Sequence, residues 1–202
     1  MSIDPATLDP DPLRQFATWL AEAEAADFVH PTAFALATAD GDRAPSVRMV
    51  LLRGHGPDGF RFFTDRRSRK GRDLIANPRA AAAFSWPELG RQVRLHGAVE
   101  PLGEDESADY FATRPRGSQL SAWISEQGAP VDTRAELEAR VVELEARFPG
   151  QAQEVPLPQH WGGYRLIPEA FEFWVSRPDR LHDRVEYRRG PDGAWTRRRL
   201  QP

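Results

Sequence analysis

Positively charged side chains follow several apolar segments of this chain. At the ends of such segments, a folded protein can place these side chains in contact with an anion. In "RFFTDRRSRKGRDL" (61–74) a strand-like run ends, Ser68 can cap a helix, and Arg69 and Lys70 stand in its first turn. A helix N-terminus attracts phosphate through its free N–H groups and its dipole. A solvated basic loop has the same composition, so this segment alone does not decide between a phosphate site and ordinary surface.

The strand-like segment "SVRMVLLR" (46–53) carries arginines on both sides of an apolar run. Side chains alternate between the two faces of a strand, so Arg48 and Arg53 lie on opposite faces. A lone arginine at a strand end is usually a surface residue. Two arginines that bracket an apolar run, one strand before the basic loop, can instead clamp a ring and its phosphate. Both interpretations remain open at this point.

The helix-like segment "ADYFATRPRGS" (108–118) and the strand-like "RQVRLHG" add polar side chains of ambiguous role. Tyr110 and Arg114 stand one helical turn apart, with Ser118 just beyond. Core packing of the ring and a surface position for the arginine explain this spacing without a ligand. Gln92, an amide that both donates and accepts, stands at the start of a strand and is uninformative on its own.

The segment "FEFWVSRPDRLHDR" (171–184) joins an aromatic strand to a run of cations. After the turn "RPDR", Arg180, His182 and Arg184 alternate, so they share one face if the chain extends again. With no acidic residue on that face, these groups repel one another unless an anion lies between them. A surface strand that carries these residues by chance is the alternative, but the spacing favours an anion site.

Several common kinds of site are missing from the sequence. The chain has no Gly-rich dinucleotide turn, no phosphate-binding P-loop and no GxSxG elbow. Its five histidines lie far apart, with no HExxH pattern, and it has no cysteine. We therefore expect no metal site, no disulfide and no cysteine nucleophile.

Composition predicts a single soluble domain. The chain has 202 residues, of which 40% are hydrophobic and 28% charged. No apolar run approaches the roughly 20 residues of a membrane helix, and the acidic, proline-broken start does not resemble a signal peptide. The absence of cysteine fits the cytoplasm. A net charge of −3 argues against nucleic acid as the main partner.

The chain reads as short strands joined by turns, with a few helices. Asp11 and Pro12 begin a helix that ends at His30–Pro31, and Thr133 and Glu136 form the capping box of another. The remaining predicted helices are "SRKGRDLIANP" and "EDESADYFATRP". The predicted strands are "TAFALATA", "APSVRMVLLR", "GFRFFTD", "RAAAAFSW", "RQVRLHGAVEPL", "YRLIPEAFEFWVS" and the hairpin "RVEYRRGPDGAWTRRRL". Short turns imply antiparallel pairing, so we predict an α+β fold, mainly β, with a β-barrel core and surrounding helices.

Sequence blocks along nearly the whole chain resemble the pyridoxine/pyridoxamine 5′-phosphate oxidase family. "FEFWVSRPDRLHDR" looks like the family signature. Further similar blocks follow the family order: "HPTAFALAT", "RMVLLR", "FFTDRRSRKGRDL", "NPRAAAAFSW", "RQVRLHG", "YFATRPRGSQLSAW", "PLPQHWGGYRL" and "RLQP". Residues 11–202 are expected to form one domain, preceded by a flexible segment over residues 1–10.

The resemblance implies an antiparallel FMN-binding split β-barrel that forms a homodimer, with FMN at the subunit interface. The residues implied to bind FMN are Arg48, Met49, Val50, Leu51, Leu52, Arg53, Phe63, Thr64, Arg69, Lys70, Gln92, Gln127, Gly128, Trp174 and Arg184. Gln92 and Gln127 are implied to reach the flavin from the partner side. The residues implied to bind the substrate are Arg53, Tyr110, Arg114, Ser118, Arg180, Leu181 and His182.

The resemblance also implies the reaction. Family members oxidise pyridoxamine 5′-phosphate and pyridoxine 5′-phosphate to pyridoxal 5′-phosphate, with oxygen as the acceptor and hydrogen peroxide as the product. Arg180, His182 and Arg184 are the implied catalytic residues. Arginines stabilise the negative charge of the reduced flavin, and His182 moves a proton as hydride leaves the substrate.

The chain departs from the family pattern at three places. Arg53 stands where the family usually has lysine, Gly128 replaces a usual serine, and the N-terminus lacks a basic, tyrosine-containing extension found in some relatives. Two alternative functions fit the same blocks: a related FMN oxidase of another aromatic substrate, such as a phenazine precursor, and a non-catalytic protein that binds flavin or pyridoxal phosphate. A nucleic-acid binder is the weakest alternative.

Overall fold

The computed structural model describes residues 2–149 and 154–202. Its α-helices are α1 (Pro12–Ala25), α2 (Arg69–Ala76), α3 (Glu104–Thr113), α4 (Arg116–Ile124) and α5 (Arg134–Arg147). Its strands are β1 (Ala33–Ala39), β2 (Pro45–Leu51), β3 (Gly54–Gly56), β4 (Gly59–Asp65), β5 (Arg79–Trp86), β6 (Arg91–Pro101), β7 (Trp161–Val175), β8 (Asp183–Arg189) and β9 (Trp195–Leu200).

All strand pairs are antiparallel, and the sheet curls into a split barrel. The order is β2-β1-β5-β6-β7-β4-β3, with β8 on β7 and β9 on β8. The long strand β7 closes the curl because its first half pairs with β4 and its second half with β8. A bulge between His96 and Gly97 bends the β6–β7 ladder. Gly97 permits the close approach there, since a Cβ would lie 1.9 Å from the Ile167 carbonyl oxygen. The predicted fold class is confirmed.

The core lies between the concave face of the sheet and α1. Phe16 and Trp19 of α1 are buried. The Phe16 ring meets Phe60 and Phe84 edge-on, with ring centroids 4.8 and 4.9 Å apart. Burial of one large apolar side chain contributes roughly 1.5–3 kcal/mol, so this aromatic cluster stabilises the barrel strongly. Asp11 caps α1 as predicted, accepting a hydrogen bond from the Leu13 N–H at 2.9 Å.

A second, smaller core supports α3, α4 and α5 beside the barrel. Its buried residues are Phe111, Leu120, Ala122, Phe148, Val155 and Trp161. The Thr133 hydroxyl accepts from the Glu136 N–H at 3.3 Å, which confirms the start of α5. The apolar stripe predicted for this helix is only partly covered, because Leu137 and Val141 are each 37% exposed.

Three local expectations differ from the structure. The first helix ends at Ala25, before His30–Pro31, and the turn after β2 contains the short strand β3. Helix α3 ends at Thr113, so Arg114 does not continue it. Pro115 explains this break: a residue before proline disfavours helical backbone, and Arg114 is extended, with φ −72° and ψ 146°.

Residues 2–10, which belong to the segment predicted to be flexible, pack on the C-terminal hairpin. Ile3 and Leu8 are buried in the main core. The Tyr187 hydroxyl donates to the Asp9 carbonyl at 2.7 Å, and Arg199 donates to the Ile3 carbonyl at 3.0 Å. These contacts join the start of the chain to β8 and β9.

In the part of the chain that the structure describes, no helix combines the length and the apolar character needed to cross a membrane.

Candidate active site

A cavity of about 680 Å³ opens beside the edge strand β2. It lies between β2, the end of β4, the start of α2, α3 and the loop after α4. Most of the predicted FMN and substrate residues line it: Arg48, Met49, Val50, Leu51, Arg53, Phe63, Thr64, Arg69, Lys70, Tyr110, Arg114, Gln127 and Gly128. Segments that are far apart in sequence therefore converge on one site.

Arg48 is fixed in the wall of the cavity by hydrogen bonds to neighbouring strands. Its guanidinium donates to the Leu36 carbonyl at 3.0 Å, to the Thr38 hydroxyl at 2.8 Å and to the Ser46 hydroxyl at 2.6 Å. Burial lowers the pKa of Arg48, and the nearby carboxylate of Asp73 opposes this shift. Arg48 therefore presents a fixed, partly desolvated positive charge.

Lys70 is a buried cation whose hydrogen-bond partners are all uncharged. Its ammonium donates to the Thr64 hydroxyl at 3.0 Å, to the Ser68 hydroxyl at 3.2 Å and to the side-chain oxygen of Gln127. Among the residues that the structure describes, no carboxylate forms an ion pair with it. Burial, followed by the charge of Arg48, lowers the pKa of Lys70 to about 8. An anion in the cavity would relieve this cost.

The start of α2 brings Lys70 and Arg69 to the cavity. Ser68 caps the helix as predicted and accepts from the Gly71 N–H. Gly71 is required for this packing, because a Cβ would lie 2.1 Å from the Arg66 carbonyl oxygen. Arg69 is exposed and lines the cavity beside the buried Lys70.

Gln127 lies in the same cavity as Lys70, although the family resemblance implies a contact from the partner side. Its side-chain oxygen accepts from both Thr64, at 2.8 Å, and Lys70. The loop after α4 folds back over the start of α2, which explains this position. The contact with the flavin from the partner side therefore stays a prediction.

Stacked aromatic rings and Arg114 form the opposite wall. Phe63 stacks on Tyr110, with ring centroids 4.0 Å apart, and on Trp161 at 5.4 Å. The Arg114 guanidinium lies over Trp161, 4.7 Å from the ring centroid, and its buried Nη1 has no hydrogen-bond partner within the described residues. Burial lowers the pKa of Arg114. An unpartnered buried guanidinium nitrogen in a cavity suits a phosphate oxygen.

Two predicted residues on segments next to the cavity do not line it. Leu52 is buried in the main core. Ser118 lies on α4, beyond the break at Pro115, and Ser121, one turn further along, lines the cavity instead.

The remaining predicted residues form a separate group, the hairpin cluster, around the β7–β8 turn. Its members are Gln92, Trp174, Arg180, Leu181, His182 and Arg184. Trp174 is paired with Gln92 on one side and Arg184 on the other, and its ring centroid lies 4.6 Å from that of His182. None of these residues lines the cavity.

The turn of the hairpin cluster has an unusual backbone. Asp179 and Arg180 have φ values of 56° and 60°, left-handed conformations that cost non-glycine residues about 1–2 kcal/mol each. The Arg177 N–H donates to Nδ1 of His182 at 3.1 Å. A backbone N–H only donates, so the neutral ring of His182 carries its proton on Nε2. The turn thus holds His182 in one orientation.

The predicted common face of Arg180, His182 and Arg184 is wrong in two respects. Arg180 ends a 3-10 turn and β8 begins only at Asp183, so the alternation does not extend through all three. Arg184 is also already neutralised, since it donates to Glu172 at 2.9 and 3.0 Å. Glu172 belongs to the neighbouring strand, which sequence alternation along a single strand does not reveal.

Glu172 balances two arginines, Arg184 and Arg94. Burial alone would raise the pKa of Glu172, but the hydrogen bonds from these arginines lower it. The carboxylate therefore stays ionised and orients Arg184.

Some cavity residues were not predicted from the sequence. Trp161 contributes through the aromatic stack, and Ser46 contributes through its hydrogen bond to Arg48. Ser121 and Ser125 line the cavity from the end of α4. The "WGG" motif at 161–163 was a usable signal, because an aromatic residue followed by two glycines marks a close approach of backbone.

The cavity and the hairpin cluster occupy opposite ends of β7. Trp161, at the start of this strand, lines the cavity, and Trp174, near its end, belongs to the hairpin cluster. The strand has 15 residues, or about 50 Å of contour at about 3.3 Å per residue. Within one protomer, the cavity and the hairpin cluster are therefore two separate groups of residues.

Comparison with protein-family models places the whole architecture in one family. Residues 21–148 match the model described as "Pyridoxamine 5′-phosphate oxidase". Residues 161–202 match the model described as "Pyridoxine 5′-phosphate oxidase C-terminal dimerisation region". The second match covers β7, β8 and β9, and therefore most of the hairpin cluster.

Individual proteins agree with the family models. The chain is 53% identical over 201 residues to "Pyridoxine/pyridoxamine 5′-phosphate oxidase 1" of Ralstonia nicotianae, covering 100% of this chain and 93% of the relative. The crystal structure of PhzG from Burkholderia lata 383 in complex with tetrahydrophenazine-1-carboxylic acid is 32% identical, with a TM-score of 0.91, and covers 100% of this chain and 98% of that chain. A pyridoxamine 5′-phosphate oxidase-related, FMN binding protein from Nostoc punctiforme is 19% identical, with a TM-score of 0.76 and coverage of 95% and 98%, and shows the fold alone.

Proposed function

Because the chain belongs to the pyridoxamine 5′-phosphate oxidase family, we propose that it binds FMN in the cavity and oxidises pyridoxamine 5′-phosphate and pyridoxine 5′-phosphate. The product is pyridoxal 5′-phosphate, with oxygen as the acceptor and hydrogen peroxide as the second product. The observation that carries the proposal is a pair of cations in one cavity, the buried Lys70 and the half-buried Arg114, for which the described residues provide no carboxylate partner.

The residues present fit FMN. Lys70 and Arg69 at the start of α2 would hold its phosphate, and a bound phosphate would offset the cost of burying the Lys70 ammonium. Arg48 and the segment 49–53 would line the flavin along β2, with Phe63 and Thr64 continuing that wall. Gly128 borders the same space. When bound, FMN supplies the redox chemistry by accepting a hydride from the substrate and passing the electrons to oxygen.

The remaining residues of the cavity would hold the substrate phosphate. The Arg114 guanidinium is held over Trp161 and has a free buried nitrogen, Tyr110 lines the cavity beside it, and the exposed Arg53 borders the entrance. A guanidinium binds phosphate through two N–H groups at once, so the arginine at position 53 can serve where relatives have lysine. These groups orient the substrate.

The hairpin cluster would complete the site from a second copy of the chain. A two-fold dimer brings the same surface patch together twice, so the hairpin cluster of each copy can cover the cavity of the other.

The shape and exposure of the outer face of the sheet support this arrangement. A hollow of about 320 Å³, lined by alanines of β1 and β5, adjoins the cavity at Val47. The exposed Val47 and Met49 of β2 would become buried there. The match of residues 161–202 to a dimerisation region agrees with this proposal.

In such a dimer Arg180 and His182 would lie over the substrate ring. The bond from the Arg177 N–H directs the Nε2–H of His182 outward as a donor. Arg184, oriented by Glu172, would stabilise negative charge on the bound cofactor, with Trp174 and Gln92 beside it. Leu181, which is 68% exposed, would pack against the partner. The lack of cysteine suits a cytoplasmic enzyme.

The experiment is an anaerobic reduction of the purified protein loaded with FMN. Pyridoxamine 5′-phosphate should bleach the yellow colour, and air should restore it with release of hydrogen peroxide and pyridoxal 5′-phosphate. A protein that binds no FMN would contradict the proposal. A protein that stays yellow with substrate would be a binding protein rather than an oxidase.

A reduced phenazine precursor is the second candidate substrate. The likeness to PhzG, with a TM-score of 0.91, favours testing it. Offering tetrahydrophenazine-1-carboxylic acid and pyridoxamine 5′-phosphate to the same preparation separates the two. A higher kcat/KM for the phenazine compound would replace the vitamin B6 assignment.

A further inference from the structure

Lys70 is chemically unique in this chain. It is the only lysine among 27 Lys and Arg residues. A neutral amine condenses with an aldehyde, whereas a delocalised guanidinium stays protonated. Lys70 is therefore the one side chain that can form an imine, and its only competitor is the α-amino group.

Lys70 is also poised for such chemistry. With a pKa of about 8, about one tenth of the side chain is neutral near pH 7. A lysine with the ordinary pKa is neutral in about one molecule in three thousand at the same pH. Nζ donates only to the neutral side chains of Thr64, Ser68 and Gln127, and no carboxylate of the described residues forms an ion pair that would keep it charged.

The cavity around Lys70 suits a phosphorylated aldehyde. Arg48, Arg53, Arg69 and Arg114 line the same 680 Å³ space, together with the stacked rings of Tyr110 and Phe63. The arginines can hold a phosphate, and the rings can hold an aromatic ring. The product of the proposed reaction has a phosphate, an aromatic ring and an aldehyde.

We propose that, in the FMN-free protein, Lys70 captures pyridoxal 5′-phosphate as an imine inside the cavity. The choice of this aldehyde rests on the proposed function. The Nζ lone pair adds to the aldehyde carbon, and the carbonyl oxygen takes up a proton. Loss of one water then leaves a carbon–nitrogen double bond, without net oxidation or reduction. Because the same ammonium would hold the FMN phosphate, product and cofactor exclude each other at Lys70. Excess product therefore delays loading of FMN.

The experiment is reductive trapping. FMN-free protein is mixed with pyridoxal 5′-phosphate, treated with borohydride, and analysed by intact mass and peptide mapping. We expect one phosphopyridoxyl group, on Lys70. The α-amino group serves as an internal control because its ordinary pKa is also about 8. Labelling of the α-amino group should be slower than labelling of Lys70 by about 10-fold or more, because the cavity holds the aldehyde close to Lys70.

Three controls decide the outcome. Saturating FMN should prevent labelling of Lys70, and Lys70→Arg should leave only the α-amino label. Arg114→Met, which removes a phosphate anchor, should slow labelling of Lys70 by about 10-fold in folded protein and leave it unchanged in denatured protein. Equal labelling of Lys70 and the α-amino group, or labelling unaffected by FMN, would overturn the proposal.

The result is separable from the proposed oxidase activity. Trapping uses added aldehyde and needs no turnover. Oxidation of pyridoxamine 5′-phosphate without an imine at Lys70 would refute this inference alone. An imine in a protein that oxidises neither substrate would refute the proposed function alone.

Discussion

The buried ammonium of Lys70 should make the FMN-free protein less stable near neutral pH than in mild alkali. In the unfolded chain Lys70 keeps its proton up to the ordinary pKa of 10.5, whereas in the folded protein it loses the proton near pH 8. Between these values the unfolded state binds more protons, so the free energy of unfolding rises with pH. The lowering of the Lys70 pKa from 10.5 to about 8 corresponds to about 3 kcal/mol in total.

Lys70→Met removes this titration and keeps a side chain of similar length. The free energy of unfolding of each FMN-free protein would be measured in urea near pH 7 and near pH 9.5. Integration of the shifted titration over that range predicts that the wild type gains about 2 kcal/mol relative to Lys70→Met. Other titrating groups are common to both proteins and cancel in the difference.

Arg69→Met is the matched control, because Arg69 is exposed and lines the same cavity. Its stability difference from the wild type should stay constant with pH. Lys70→Met should also bind FMN about 10- to 150-fold more weakly near pH 7, since a charge-assisted hydrogen bond contributes about 1.5–3 kcal/mol. A difference between wild type and Lys70→Met that does not change with pH would refute the reasoning.

Three further substitutions test the hairpin cluster. His182→Ala should lower turnover by about 10-fold or more while FMN affinity is unchanged, because it removes a directed hydrogen-bond donor; unchanged turnover would contradict its assigned role. Asp183→Asn weakens the bonds from Ser2 and Arg199 that hold the adjoining turn, so KM should rise and amide hydrogen exchange at 177–182 should accelerate. Asp9→Asn, which loses a comparable arginine contact on the side of α1, should do neither. In Glu172→Gln the free energy of unfolding should fall less in acid than it does in the wild type. The pKa of Glu172 is lowered in the folded protein, so the stability that this carboxylate contributes is lost as pH falls below the ordinary value of 4.5. The same fall in the free energy of unfolding in both proteins would contradict this prediction.

Most secondary structure was predictable because it depends on local patterns. The alternation in "TAFALATA" and "RAAAAFSW" corresponds to β1 and β5, and the caps Asp11 and Ser68 begin the predicted helices. The segments that were predicted wrongly depend on backbone conformation and not on the pattern of apolar residues. Pro115 divides the segment 104–124 into two helices, and the turn at Asp179 and Arg180 takes left-handed backbone without glycine.

The parts of the site were predictable to the extent that they lie on single segments. Arg69 and Lys70 are adjacent in sequence, and the cap at Ser68 placed both in the first turn of a helix. The environment of Lys70 was not, because Gln127 is 57 residues away and joins it only when the loop after α4 folds back. The neutralisation of Arg184 by Glu172 likewise depends on the pairing of β7 with β8. Charge counts along one strand therefore overestimated the free positive charge.

The division of the site explains why FMN binding and dimer formation should reinforce each other. The cavity has an open side along β2, where Val47 and Met49 are exposed to 68% and 64%. A second copy that covers this edge excludes water from the cavity, and electrostatic interactions strengthen as water leaves. The cost of holding the Lys70 ammonium in that drier space is offset only when an anion accompanies it. If FMN binds in the cavity as proposed, it would stabilise the covered form and the covered form would retain FMN, so each event would raise the affinity of the other.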